Sequence, residues 1–297
     1  RRSTRSVMAA YKIYVKDVPD TMSIWPYINE HSDIGRHYSM PSTLADPNDL
    51  INLKHELDID SIIMSSTEMV EKFGFNPWQA ADSDMQSYGG LSLVYNPDYT
   101  ENVDSNKQTL GTKTNNRDEF FYGKTGKFKS TRNTYFDSYA FRQLAPCVTE
   151  TSFNNIAQSF KRHIVRSRLA TINAEHVSNN ERHKFGWHRD ESVFENLRIN
   201  IPLITDETFM FEIKDKQAEH LSICNLYSWD TNIPHRVFPT TQEHKSRTHL
   251  VLGFSPWFDY DVEEDCFYSN EFYGEMHPID MLISGHVHEK IKGINYD

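Results

Sequence analysis

The sequence predicts a mainly β protein with flanking helices (α+β), its core a β-sandwich or jelly roll, and three observations carry that expectation. Aromatic residues make up 13% of the 297 residues, with 18 Phe and 15 Tyr, a content that suits strands and shaped pockets. From His163 to Phe254, short strand-like runs follow one another with polar turns between them, which favours sandwich or jelly-roll packing over βαβ units. The chain is also long enough to bury a substantial core.

Taken in order, residues 1–10, which include the basic RRSTRS, are expected to be disordered. From Tyr11 to about Ala145 the pattern is mixed. Helix-like stretches fall near 48–56 and 66–73, and polar connections at Asn96-Pro97-Asp98 and Asn115-Asn116-Arg117-Asp118. Phe153, Ile156, Ala157 and Phe160 recur at spacings of three and four, which predicts an amphipathic helix from Thr151 to Phe160 capped by Thr151 or Ser152. Strands are expected over His163 to Ile172, Glu195 to Ile204, Thr208 to Ile213, Leu221 to Trp229, His235 to Phe238 and Thr248 to Phe254. The remainder reads as a C-terminal extension with helix potential near 278–284. No repeat, low-complexity tract or Pro/Gly/Ser linker divides the chain. One domain over 11–297 is expected, with a mixed α/β part (11–150), a jelly-roll core (151–258) and the extension (259–297).

Composition excludes some classes of function. With 31 Lys and Arg against 42 Asp and Glu, the formal net charge is −11, unlike proteins that grip a phosphate backbone through clustered basic residues. No nucleic-acid partner is expected. Cys147, Cys224 and Cys266 are too far apart for a CxxC clip and odd in number for a disulfide framework, so a reducing cytoplasm is the expected compartment. No run of about 18 apolar residues marks a membrane span.

The chemistry is carried by His188-Arg189-Asp190, then His235 after 45 residues and Arg247 after 12 more. In an extended segment alternate residues share a face, so His188 and Asp190 project together and Arg189 points away. His235 follows Pro234 at the end of a loop and precedes Arg236-Val237, a position from which a third ligand can swing in. Two imidazoles and one carboxylate leave open positions on a ferrous ion, whereas zinc normally closes up with fewer vacancies. His-x-Asp by itself arises by chance in a chain with 14 His; order and context give it weight. In Arg247-Thr248-His249-Leu250-Val251-Leu252-Gly253-Phe254, alternation sets Leu250, Leu252 and Phe254 on one face and Arg247 on the other, where a guanidinium can clamp a carboxylate through two parallel hydrogen bonds. Leu197, Ile199, Ile201 and Leu203 likewise oppose Arg198 and Asn200, a pair that is either a solvated strand face or a second polar element of a lumen.

Together these residues resemble the aspartyl/asparaginyl β-hydroxylase group of Fe(II)- and 2-oxoglutarate-dependent oxygenases, in the cupin-like superfamily. The likeness covers residues 163–257. It is carried by Val165-Arg166-Ser167-Arg168-Leu169, Gly186-Trp187-His188-Arg189-Asp190, the strand from Asn196 to Leu203, Pro234-His235-Arg236-Val237 and Arg247. It implies a double-stranded β-helix (jelly roll) core and decarboxylation of 2-oxoglutarate by O2, coupled to hydroxylation of an unactivated C–H bond, with succinate and CO2 released. It further implies that His188, Asp190 and His235 bind Fe(II), that Arg247 pairs with the distal carboxylate of 2-oxoglutarate, and that Arg198, Asn200 and Ser167 line the co-substrate pocket. The polar insertion from Glu175 to Lys184 departs from the family pattern. The implied substrate is an Asp or Asn side chain in a peptide, a free amino acid or another small molecule, and the net acidity favours a cationic or neutral one.

Two other histidine pairs, His183 with His188 and His286 with His288, are read as polar loop residues, since neither brings a third ligand. The alternative from another class is a non-catalytic cupin-like module that binds a small molecule or metal. Halogenation on the same scaffold is disfavoured because Asp190 leaves no extra site for a halide.

Overall fold

A single antiparallel sheet of eight strands organises the molecule, a computed structural model that describes residues 11–20, 22–77, 88–98, 137–172, 186–241 and 246–296. In chain order the strands are β1 (Lys12–Tyr14), β2 (Ile51–His55), β3 (Asn76–Pro77), β4 (Tyr88–Ser92), β5 (Val94–Tyr95), β6 (Gln143–Leu144), β7 (Ile164–Ile172), β8 (Leu197–Ile204), β9 (Phe209–Ile213), β10 (Leu226–Ser228), β11 (His235–Pro239), β12 (Arg247–Phe254), β13 (Phe258–Asp261), β14 (Cys266–Ser269) and β15 (Ile291–Ile294). The helices are α1 (Ile24–His31), α2 (Ile59–Phe73), α3 (Pro146–Thr149), α4 (Phe153–Gln158) and α5 (Pro278–Ile283). The chain is therefore mainly β with a few helices. Residues 1–10, the connection at 115–118 and the insertion at 175–184, with His183, lie outside the described residues.

The large sheet runs β15-β2-β10-β8-β12-β7-β4-β3. Its two faces differ because its strands alternate. Leu169, Ile199, Ile201, Leu226, Leu250 and Leu252 project to one side into a buried core shared with Ile28, Ile62, Met69 and Phe153 of the helices. Each such aliphatic side chain removed from water contributes about 1.5–3 kcal/mol. The other face carries Arg198, Asn200, Tyr227 and His249. A small sheet completes this side: β9 pairs with β11, and isolated bridges add His188 beside His235 and Glu219 beside Phe211. Ion pairs from Arg198 of β8 to Asp190 and Glu191 tie the two sheets together.

Several boundaries differ from expectation. The helix-like stretch at 48–56 is instead β2, which hydrogen-bonds between β10 and β15 and buries Ile51 and Leu53 in alternation; its sheet partners lie about 170 and 240 residues away, so local periodicity could not announce them. α2 begins before 66, at Ile59, where the Asp58 side chain accepts the Ser61 N–H, and it ends at Gly74 with φ 73°. The strand expected from Leu221 shrinks to Leu226–Ser228, because Cys224 adopts φ 68° and breaks the run. The C-terminal residues are built into the core: α5 is buried along its length, β15 edges the large sheet, and β14 joins β13 to β1.

Candidate metal centre

His188 and His235 are set against each other by their own backbones. The N–H of each donates to the carbonyl of the other, at 3.1 and 3.0 Å, the hydrogen-bonded pair of an antiparallel ladder. The two rings lie 4.4 Å apart between centroids. Asp190, two residues on, returns to the same side, and its N–H donates to the Thr231 carbonyl at 2.8 Å, which fastens it to the loop leading to His235. Arg189 points away and donates to the Asn232 carbonyl. Among the described residues, His188, Asp190 and His235 form the one group able to hold a metal, with ligand atoms all within 4.8 Å of one another.

The tautomers of both histidines follow from their neighbours. His188 Nδ1 lies 3.1 Å from the Gly186 carbonyl and His235 Nδ1 lies 2.8 Å from the Ile233 carbonyl. A carbonyl only accepts, so each Nδ1 carries a proton, and in the neutral form of each ring the lone pair is on Nε2. These backbone carbonyls are the orienting partners that metal-binding histidines require. Burial, with the neighbouring His188 ring and the Arg198 guanidinium, pushes the His235 imidazole down to about 4, so it is neutral at pH 7, as a metal ligand must be.

Asp190 is kept ionised by cations. Burial alone would raise its carboxyl, but Arg198, Arg166, the His188 ring and Arg168 outweigh it and hold the group well below the usual carboxylate range. Arg198 pairs with Asp190 through Nη1 and with Glu191 through Nη2, and Arg166 pairs with Glu191 from the opposite side. Arg166 reaches Glu191 through a β-bulge. The β7–β12 ladder slips between Val251 and Gly253, and Arg166 adopts φ 36° there, which re-aims its side chain.

The predicted co-substrate residues are placed unequally. Arg198 and Asn200 share the polar face of β8, with Asn200 between Tyr227 and Val251. Arg247 stands at the start of β12, four residues, or about 13 Å at the strand rise, from Val251, and its Nη2 donates to His249 Nδ1 at 2.9 Å. Ser167 is not brought to the ligands. Its hydroxyl accepts the Gly253 N–H at 2.8 Å and donates to the Val165 carbonyl at 3.0 Å, sealing the bulge. The resemblance implied a place for Ser167 in the co-substrate pocket; in the structure its hydroxyl is taken up by backbone groups at the bulge.

Sequence reasoning missed Arg166, Glu191, Trp229 and His249. Trp229 stands edge-on 5.4 Å from the His235 ring and packs 4.4 Å from Phe211, walling one side of the site; its buried Nε1 has no partner among the described residues. Glu191 was visible only as the neighbour of Asp190, while His249 shares the alternation that singled out Arg247. The rival His286 and His288 are occupied otherwise: His288 bonds Ser159 and the Lys290 N–H, and His286 packs on Phe272. All three cysteines are free, and among the described residues no helix is long and apolar enough to cross a membrane.

No family model matches this chain, and no curated protein matches it. Among solved structures it is similar to a prolyl-4-hydroxylase from Pseudomonas putida, at 9% identity and TM-score 0.33, over 69% of this chain and 91% of that one. It is also similar to a non-heme alpha-ketoglutarate-dependent carbocyclase from nogalamycin biosynthesis, at 11% identity and TM-score 0.33, over 69% of this chain and 78% of that one.

Proposed function

We propose that this protein is an Fe(II)- and 2-oxoglutarate-dependent oxygenase that hydroxylates an unactivated C–H bond of a small-molecule or peptide substrate. The observation that carries this reading is the pair of Nδ1–H bonds to Gly186 and Ile233, which leaves two Nε2 lone pairs beside an ionised Asp190. Two imidazoles and one carboxylate within 4.8 Å suit a divalent ion that keeps positions open for further ligands. The strand order supports a double-stranded β-helix: β7, β12, β8 and β10 are consecutive in the large sheet, and His188, β11, β9 and Glu219 follow one another in the small one.

Bound together, iron(II), 2-oxoglutarate and O2 would supply the oxidant for hydroxylation, with succinate and CO2 as co-products. The chain's own residues have separate tasks. Arg198 and Arg166 keep Asp190 charged and fix its orientation. Arg247 offers a guanidinium to the distal carboxylate of 2-oxoglutarate; the distance along β12 suits an arginine side chain plus a five-carbon diacid. Trp229 and Phe211 keep water from the His235 side. An Asp or Asn side chain in a peptide is the substrate suggested by the resemblance to the aspartyl/asparaginyl β-hydroxylase group.

The test is succinate formation from 2-oxoglutarate by the purified protein under air, with and without Fe(II). Turnover that needs iron and disappears in His188→Ala is the expected result. Tight binding of 2-oxoglutarate with no succinate across amino-acid and peptide substrates would instead identify a non-catalytic binding module.

A further inference from the structure

We propose that Trp187 is a positioning residue for the metal centre: clamped on Arg236 outside the small sheet, it holds the Gly186–Trp187 peptide, whose carbonyl orients the His188 imidazole. This rests on the metal-binding reading above and names what keeps one of its ligands in place.

The register puts the clamp residues side by side. His188 lies opposite His235 in an antiparallel bridge, so Trp187 lies opposite Arg236, and β9 adds Glu212 on the other side of Arg236. Alternation then sends His188, His235 and Ile213 to the lumen, while Trp187, Arg236 and Glu212 share the outer face. Their side chains meet there. The Arg236 guanidinium stands 4.6 Å from the centroid of the Trp187 ring and 4.6 Å from that of Phe238, and its Nε donates to Glu212 at 2.7 Å. An arginine pinned by a carboxylate and a second ring is a fixed platform, and Trp187 rests on it although 43% exposed.

The His188 segment needs such a fastening. Among the described residues, the backbone of 186–188 meets β11 through the single His188–His235 rung, and His188 itself is exposed. The ring's Nδ1 donates to the Gly186 carbonyl at 3.1 Å, two residues back on that same segment. That carbonyl belongs to the peptide that ends at the Trp187 nitrogen, so a Trp187 free to swing lets the acceptor rotate, and the imidazole with it. His235 has no such dependence: it is 4% exposed, sits in the β9–β11 ladder and has its own carbonyl at Ile233. The clamp therefore acts on one ligand only. A ligand must be held within about 0.5 Å of its productive place, and one backbone rung does not fix the turn of a side chain.

The experiment records 15N-histidine NMR of the full metal-free chain at pH 9, with His188 and His235 assigned from their alanine variants. In the wild type the His188 ring nitrogens should report the Nδ1–H tautomer. Trp187→Ala should move them toward the shifts of a free imidazole and leave the His235 nitrogens in place. Trp187→Phe, which keeps a ring for the guanidinium, should restore most of the wild-type shifts. In Mn(II) titration, the Kd of Trp187→Ala should rise about two- to tenfold, with the urea midpoint of the metal-free protein unchanged. Arg236→Met removes the platform instead and carries the same expectations, which keeps the test open if Trp187→Ala does not fold. Unmoved His188 shifts, His188 and His235 moving alike, or an unchanged Kd would overturn the assignment. If the wild type binds no Mn(II), the metal reading itself fails, while the metal-free spectra still decide whether Trp187 orients His188.

Discussion

Arg198 donates to the Asp190 carboxylate from the opposite sheet, so the acidic member of the candidate metal centre is charged and aimed by a residue eight positions away in sequence. Removing that guanidinium, as in Arg198→Met, lets burial raise the Asp190 carboxyl and also relieves one repulsion on the His235 ring. Both changes bring protonation of ligands closer to neutral pH. Metal affinity should fall more steeply between pH 7.5 and 5 in the variant than in the wild type, measured by Mn(II) titration. Parallel pH profiles would show that Arg198 does not control the ligand charge.

His188→Ala or His235→Ala removes one of two imidazoles whose Nε2 atoms face the site. Each should abolish Fe(II) binding while leaving the melting temperature of the metal-free protein nearly unchanged for His188, the more exposed ring. Normal iron retention in the double variant would sink the assignment.

Arg247→Ala should leave metal affinity intact and raise the apparent Kd for 2-oxoglutarate about ten- to a hundredfold, the cost of one charge-assisted contact. Titration of the Mn(II)-loaded protein checks this, and an unchanged affinity would place the distal carboxylate elsewhere.

Gly253 faces the bulge in β7, and a Cβ there would come 2.6 Å from the Val165 carbonyl and closer still to Asn196 Oδ1. Backbone on one side cannot give way, so Gly253→Ala should destabilise the fold by about 1–3 kcal/mol. Because the bulge aims Arg166 at Glu191, the same variant should weaken metal binding. Denaturant unfolding and Mn(II) titration measure the two effects.

His163 is buried beside Tyr260 and pushed down to about 4 by that burial, and its Nε2 has no partner among the described residues. Unfolded, the ring takes up a proton near 6.5; folded, it does so only near 4. Between those values the unfolded state binds more protons, so stability present above pH 6.5 declines as pH falls toward 4. His163→Leu should make that slope shallower by up to about 1.4 kcal/mol per pH unit. Urea unfolding at pH 5 and 7 decides, and equal slopes in the two proteins would show that His163 is not the group responsible.

Alternation made much of the site legible. The strand from Leu197 to Leu203 separates Ile199 and Ile201 from Arg198 and Asn200 in the structure as the sequence predicts, and β12 separates Leu250 and Leu252 from Arg247 in the same way. The hydrogen bonds of Ser167 to the Gly253 N–H and the Val165 carbonyl were not legible, because a bulge is a one-residue defect that leaves no mark in an alternating pattern. β2 was misread because its pairing depends on strands remote in the chain.

The sequence by itself determined which atoms can bind: two imidazoles, a carboxylate and the guanidinium groups, spaced so that alternation turns His188 and Asp190 the same way. Only the tertiary structure decided how they act. The His188–His235 backbone pair, the Gly186 and Ile233 carbonyls that fix the tautomers, and the reach of Arg198 across the two sheets all join residues distant in sequence. Side-chain periodicity reports only which face a residue occupies, whereas protonation state and metal geometry depend on what stands within a few ångströms of it, which the packing of one sheet against the other establishes.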